Sequence, residues 1–549
     1  MNATTRRDTW LLILAWGVLS AALWINLDAH HLFVHTDEPR RALVALEMIL
    51  SGDYLTPTLN GEPYLNKPPL YNWLIAASFQ LIGRYDEWAL RVPAVLSLYL
   101  LALVVALSVA RHHGLFLGAL TALALATSGR ILFFDSFLGL IDIAFSALVV
   151  AGMSTIFHLG EAEHWRSLFV FSYLLCAIAF LMKGLPALAF QGLTLLAYLG
   201  WRRAWRRLFS LDHAWGLLAF LLPVGAYYLA YFHRNPGLEE AVFARLWSES
   251  AKRTGLEFGL GPVLVHLGTF PFEFLFHFLP WTLLALLLLD KGVRRALFDH
   301  PFHTFCGLAF LANVWLYWTS PQVYPRYLFA FAALMTALVI PAHALAEHHA
   351  PRWKQAIEAL LGGLIALALI AALALPFTDR TGHYPHALLK SAFLALALTA
   401  ILWAYWRGRL HRLVLLGLAL AFIRLGFDWF NLPGRDGELT PLKHQALAVA
   451  RLTQNQPLYI YDGTPVHDGT SFYISAERRE ILRRSDRAQP GTFYIVATPL
   501  LQRLPPYEEW MQFRTTHYSG WLHLVRIGEN TLETIPETDG PQHKEERPS

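Results

Sequence analysis

Residues 37–67 concentrate side chains that can do chemistry: Asp37 and Glu38, then Arg40 and Arg41, then Lys67. Carboxylates beside cations suit group transfer on a phosphate ester. A carboxylate aligned with an acceptor hydroxyl serves as general base. Cations hold the phosphate and stabilise its charge as it departs. One acid at a helix start is explained by dipole capping, worth about 0.3–1 kcal/mol. Two acids beside two arginines exceed that need. Asp37 therefore reads as functional, and Glu38 as either functional or a cap. Lys67 precedes Pro68 and Pro69. It reads either as a fixed phosphate contact or as a lysine snorkelling to lipid headgroups.

More candidates lie further along. Asp135 and Asp142 in "FFDSFLGLID" are seven residues apart and so share a helical face. Asp142 stands in an apolar run, where an uncompensated charge is expensive, and Arg40 is its expected partner. Asp135 reads as a cap. Lys183 interrupts an apolar stretch in "LMKGLP". The segment "SESAKRT" brings Glu249, Lys252 and Arg253 to a long loop, which solvation alone also explains. Arg326 and Tyr327 in "SPQVYPRYLFAF" read either as site residues or as an interfacial anchor. Cys176 and Cys306 sit in apolar runs and have neither disulfide nor metal-ligand spacing.

These residues are carried by a chain that is 55% hydrophobic and 15% charged over 549 residues. Apolar runs of membrane-spanning length recur about thirteen times, which makes this an α-helical polytopic membrane protein. The run 10–27 follows Arg6 and Arg7 and reads as a retained span rather than a cleaved signal. The basic segments at Arg6-Arg7, Arg111, 201–207, 291–295, 351–354 and 407–412 all fall on one side of that count. Basic loops are cytoplasmic, so the N-terminus is expected inside. Residues 33–73, Lys183, Arg326 and everything after 431 are then expected outside. Thr36, Asp37, Glu38 and Pro39 read as a helix start, opening a short amphipathic helix at the outer surface. Three parts are expected: a membrane catalytic domain over 1–430 with an outer juxtamembrane loop at 29–87, a small α/β domain over 431–528, and a disordered tail at 529–549. Strand-like runs such as "TFYIVATP" among helical pattern suggest the α/β domain.

The stretch "TDEPRRALVALEMILSGDYLTPTLNGEPYLNKPPLYNWL" resembles the first outer loop of bacterial GT-C glycosyltransferases that use polyprenyl-phosphate sugars. It is most similar to the group of aminoarabinose lipid A transferases and protein O-mannosyltransferase-like enzymes. The pattern is matched at Asp37, Glu38, Arg40, Glu47, Met48, Ser51, Gly52, Asp53, Pro57, Asn60, Gly61, Tyr64, Lys67, Pro68 and Pro69. Weaker similarity runs through Asp142, Lys183 and Gly184, and Arg326 and Tyr327. The resemblance implies a GT-C fold and an inner-membrane hexosyl- or pentosyltransferase with a periplasmic C-terminal domain. Its donor would be an undecaprenyl-type phosphate sugar. Its acceptor would be lipid A or another envelope glycan, reached with inversion, or alternatively a protein. It implies Asp37 as the catalytic carboxylate with Asp142 in support, and Glu38 is taken beside them as a further catalytic candidate. It implies Lys67 and Arg326 at the donor phosphate; Arg40 is expected beside them, and Tyr64, Asn66, Lys183, Arg253 and Tyr327 around the substrates. Asn66 and Ser250 replace a Glu and a His of the aminoarabinose transferases. No cofactor is assigned, and no divalent metal is expected at that pair. A transporter or flippase would instead place polar residues at mid-membrane in two symmetric halves, and no such halves are visible.

Overall fold

The apolar runs fold as helices because a backbone in hydrocarbon must satisfy its hydrogen bonds within the segment. The computed structural model describes residues 6–29, 31–33, 37–251, 259–435, 437 and 439–528. Contacts divide the chain into two units, residues 1–59 with 63–439 and residues 60–62 with 440–549. The expected cap Thr36, the loop residues Lys252 and Arg253 and the tail 529–549 lie outside the described residues.

In the first unit the helices are α1 (Arg6–Trp24), α2 (Asp37–Ser51), α3 (Leu70–Ile82), α4 (Glu87–His113), α5 (Leu115–Ala126), α6 (Gly129–Phe133), α7 (Asp142–Glu161), α8 (Trp165–Lys183) and α9 (Pro186–Trp201). They continue as α10 (Leu211–Arg234), α11 (Glu239–Ala251), α12 (Leu260–His277), α13 (Lys291–Phe298), α14 (Pro301–Trp318), α15 (Phe329–His349), α16 (Pro351–Ala374), α17 (Ala387–Arg407) and α18 (Arg412–Phe430). Among the described residues, eight helices are long and apolar enough to cross a membrane. A ninth follows if α5 and residues 129–137, bent by 54°, count as one span. The other four expected segments are helical too, as α1, α9, α12 and α14, but shorter or more polar. The expected span 267–289 is not one helix. It breaks after His277 and resumes at Trp281 as a 3-10 helix, with Pro280 at the break, where a proline cannot continue the helical hydrogen bonding.

The helix carrying Asp37 differs from the expected amphipathic surface element. Every residue of α2 from Arg41 to Met48 is buried, and α2 packs on α3. Asp142 and Asp135 do not share a helical face, because Asp135 lies in a 3-10 turn and Asp142 opens α7. The span that includes α15 is central, 83% of it buried, whereas that of α10 is peripheral at 17%. A 3-10 turn at Pro325–Leu328 leads into α15 and carries Arg326 and Tyr327.

The second unit is a small α/β fold. Helices Thr440–Leu452 and Asp468–Arg478 accompany a five-stranded sheet. Strand Leu458–Tyr461 runs parallel to Arg483–Ser485 on one side and Phe493–Ala497 on the other. Leu522–Ile527 pairs antiparallel with Phe493–Ala497 and with the edge strand Tyr507–Phe513. All five residues of Phe493–Ala497 are buried, as expected for a strand covered on both faces.

Candidate active site

Five chain segments meet at one cavity of about 530 Å3 in the first unit. The start of α2 supplies Asp37, Arg40 and Arg41. The segment before α3 supplies Tyr64, Asn66 and Lys67. The start of α7 brings Asp142, and the end of α8 with the 3-10 turn before α15 brings Lys183, Arg326 and Tyr327. Five cationic side chains and two carboxylates therefore line one space.

Arg326 is the hinge of this network. Its Nη2 donates to Asp37 Oδ2 at 2.6 Å, and its Nε lies 3.3 Å from Asp142 Oδ2. Lys183 Nζ donates to Asp142 Oδ1 at 2.5 Å. Asp142 is thus neutralised by Lys183 and Arg326, and these rather than the expected Arg40 are its partners. Arg40 lines the same cavity. Aromatic rings steady the cations. Lys183 Nζ is 4.3 Å from the Tyr327 ring centre, and the Arg326 guanidinium is 4.4 Å from that of Tyr324, geometry that favours a cation over a π face. Asp142 and Lys183 are both buried, while the Asp37 side chain is 43% exposed. Of the two carboxylates in the described lining, Asp37 is the one that combines a hydrogen bond from Arg326 with an open face.

Glu38 sits elsewhere. Arg91 on α4 grips it with two hydrogen bonds at 2.8 and 3.2 Å, and the Gly139 amide donates to it at 2.7 Å. Both side chains are buried. This is a tie among α2, α4 and the loop before α7, and it corrects the expectation of Glu38 as a reacting group. Glu47 and Asp53, both in the recognised pattern, also hold structure. Thr58 Oγ1 donates to Glu47 Oε2 at 2.6 Å. Asp53 accepts from the Leu55 and Thr56 amides and from Arg234 Nε. Burial pushes the Asp53 carboxyl up, but those amides and the Arg234 charge outweigh it and hold its pKa below the ordinary 3.8. Asp135 is likewise paired, with Arg130 Nε at 2.5 Å.

Asn66 Oδ1 accepts from Arg245 Nε of α11 at 2.6 Å. A guanidinium against this oxygen does not fit a metal ligand. Sequence reasoning names Arg41 only as Arg40's neighbour and does not single out Arg91 and Arg245, the partners of Glu38 and Asn66. Arg41 is 5% exposed, lines the cavity, and its Nη1 has no hydrogen-bond partner among the described residues. Only its place beside Arg40 signalled it. A second cavity of about 300 Å3 shares Tyr64 and Lys67 and is walled by Tyr227, Tyr228, Tyr231, Val242 and Leu246.

The dolichyl-phosphate-mannose-protein mannosyltransferase family matches residues 66–230. A stretch of 94 residues is 32% identical to the undecaprenyl phosphate-alpha-4-amino-4-deoxy-L-arabinose arabinosyl transferase of Pseudomonas aeruginosa (strain UCBPP-PA14), covering 17% of this chain and 16% of that protein. A stretch of 47 residues is 43% identical to an uncharacterized protein of Aquifex aeolicus (strain VF5), 9% of each. The match thus spans only a small part, 16% and 9%, of these curated relatives. The crystal structure of ArnT from Cupriavidus metallidurans bound to undecaprenyl phosphate superimposes with a TM-score of 0.68 at 20% identity, over 97% of this chain and 100% of that one. Its apo state gives the same score over 95% and 98%. The multi-span membrane protein described here therefore has the GT-C fold of that structure, as its residues 37–69 had implied.

Proposed function

We propose that the protein is a membrane glycosyltransferase that moves a sugar from a polyprenyl phosphate to an acceptor hydroxyl. The observation that carries this reading is the charge of the cavity, whose described lining holds five cations, Arg40, Arg41, Lys67, Lys183 and Arg326, and two carboxylates, Asp37 and Asp142. A concave site lined mainly by positive charge focuses a field that favours an anionic ligand. A sugar-phosphate diester carries one negative charge, and the polyprenyl phosphate that departs carries up to two. A cationic cavity stabilises the second charge as it develops, which is what accelerates a reaction.

The acceptor oxygen attacks the anomeric carbon and its proton passes to Asp37. The bond from that carbon to the phosphate oxygen breaks, and the electron pair leaves with the phosphate. Attack opposite the leaving group inverts the centre. Lys67, Arg326, Arg40 and Arg41 hold the phosphate. Asp142 and Lys183 fix Arg326, which in turn orients Asp37. Asn66, Tyr64 and Tyr327 line the sugar, and a volume of several hundred Å3 suits such a ligand. The acceptor is lipid A or another envelope glycan, in keeping with the arabinosyl transferases the chain resembles, and it lies on the outer, periplasmic side of the inner membrane. Mass spectrometry of lipid A, surface glycans and envelope proteins from a deletion strain tests this. A sugar mass should vanish from a glycan or lipid carrier and return with the wild-type gene but not with Asp37→Asn. Loss from a protein would redirect the acceptor assignment, and an unchanged envelope would contradict the transferase reading.

A further inference from the structure

Helix α4 has 27 residues and is therefore about 40 Å long. Its first turns hold Glu38 at the cavity side, and its last turn ends in a cluster of imidazoles. His112 and His113 end α4, His158 lies in the last turn of α7, His300 caps α14 and His303 lies in its first turn. One ligand nitrogen from each of His113, His300 and His303 lies within 4.8 Å of the other two.

The tautomers follow from the hydrogen bonds. His303 Nδ1 is 3.0 Å from the Leu297 carbonyl. A carbonyl only accepts, so Nδ1 carries the proton and Nε2 presents a lone pair. A backbone carbonyl on the far nitrogen is the usual way a ligating histidine is fixed. That lone pair points at His113 Nε2, 2.9 Å away, with the two rings stacked at 1°. Two facing lone pairs repel, so His113 Nε2 carries the proton of this hydrogen bond, a proton that a bound cation would displace. His300 Nδ1 accepts from the Phe302 amide at 3.2 Å, which fixes its ring at the helix start. His112 and His158 stack at 5.3 Å beside the group, and each has a buried Nε2 without a partner among the described residues. Such a set contains only imidazole, which suits zinc, nickel or copper and not magnesium or calcium.

We propose that His113, His300 and His303 form a site for a divalent transition-metal ion of the zinc type, clamping the end of α4 to the junction of α13 and α14. The site is remote from the cavity and does not depend on the transferase reading. The test uses full-length protein purified in detergent with no histidine tag, stripped by a chelator and titrated with Co2+, then Zn2+. About one equivalent of Co2+ should give a visible absorption band that Zn2+ abolishes. His113→Gln and His303→Gln should each weaken binding by at least about tenfold. His300→Ser keeps an N-cap acceptor but removes the imidazole, and should weaken binding as well. His233→Gln, at another helix end, should bind as wild type does. Zn2+ should raise the melting temperature of the wild type and not of the variants. Should His303→Gln fail to fold, His113→Gln and His300→Ser decide alone. No saturable Co2+ signal, or equal binding in these variants, would mean an adventitious ion only and overturn the proposal.

Discussion

Asp37 and Glu38 are adjacent, yet their surroundings are opposite. Neighbours on a helix point about 100° apart, so one carboxylate faces the cavity and the other faces α4. The Glu38–Arg91 pair has no exposed face and three hydrogen bonds to Glu38. Removing one partner of a buried pair leaves an uncompensated charge, at a cost of about 3–5 kcal/mol. Glu38→Gln should therefore lower the melting temperature clearly in detergent, while kcat/KM of the folded fraction changes by no more than a few-fold. A large loss of kcat in a normally stable protein would return Glu38 to the reaction. Asp37, Lys67 and Arg326 are legible in sequence because each is a charge in an apolar context with a local pattern around it. Their pairings are not legible. Lys183 and Asp142 are 41 residues apart, Glu38 and Arg91 53, and Arg326 and Asp37 289. Such distances are set by helix packing, which leaves no periodic trace in a single chain.

At the scale of elements, the loop after α2 is stapled to the end of α10. Asp53 meets Arg234, Asn235 Nδ2 donates to Thr56 Oγ1 at 2.9 Å, and Tyr227 donates to the Leu55 carbonyl at 3.3 Å. This loop also carries Lys67 into the cavity, so the staple connects a peripheral span to the site. The pKa of Asp53 is lowered on folding. Its contribution to stability is therefore full above the ordinary value of 3.8 and is lost as pH falls through the lower, folded value. Melting temperatures of wild type and Asp53→Asn should differ at neutral pH and converge in the acid range below that value. A gap that persists there, or is absent at neutrality, would contradict the staple. The sequence pattern contains Gly52, Asp53 and Pro57 and so marks a turn, but nothing in it names Arg234 as the partner. Likewise Pro280 is visible as a helix breaker, whereas the burial of α2 is not, because alanines and leucines on all sides of a short helix fit lipid and protein equally well.

For the whole molecule, apolar run length identifies where helices lie, and all thirteen expected segments are helical. It does not distinguish the straight spans from the bent or broken ones, since bends arise from a few residues such as those at 127–128 and 278–280. The charge pattern of the loops predicts which side each faces. Cys176 and Cys306 are buried, which permits labelling with introduced thiols. In spheroplasts, Asp379→Cys should react with a membrane-impermeant maleimide, and Arg206→Cys only after permeabilisation. The reverse result would invert the topology and place the cavity on the cytoplasmic side. The central claim is that Asp37 acts on the acceptor while the surrounding cations hold the donor phosphate. Its most direct test is sugar transfer from a polyprenyl-phosphate donor by wild type and Asp37→Asn in proteoliposomes, with donor affinity measured in parallel. The account predicts that Asp37→Asn binds the donor and melts near the wild-type temperature, yet turns over about 100- to 10,000-fold more slowly. Turnover within a few-fold of wild type would contradict it.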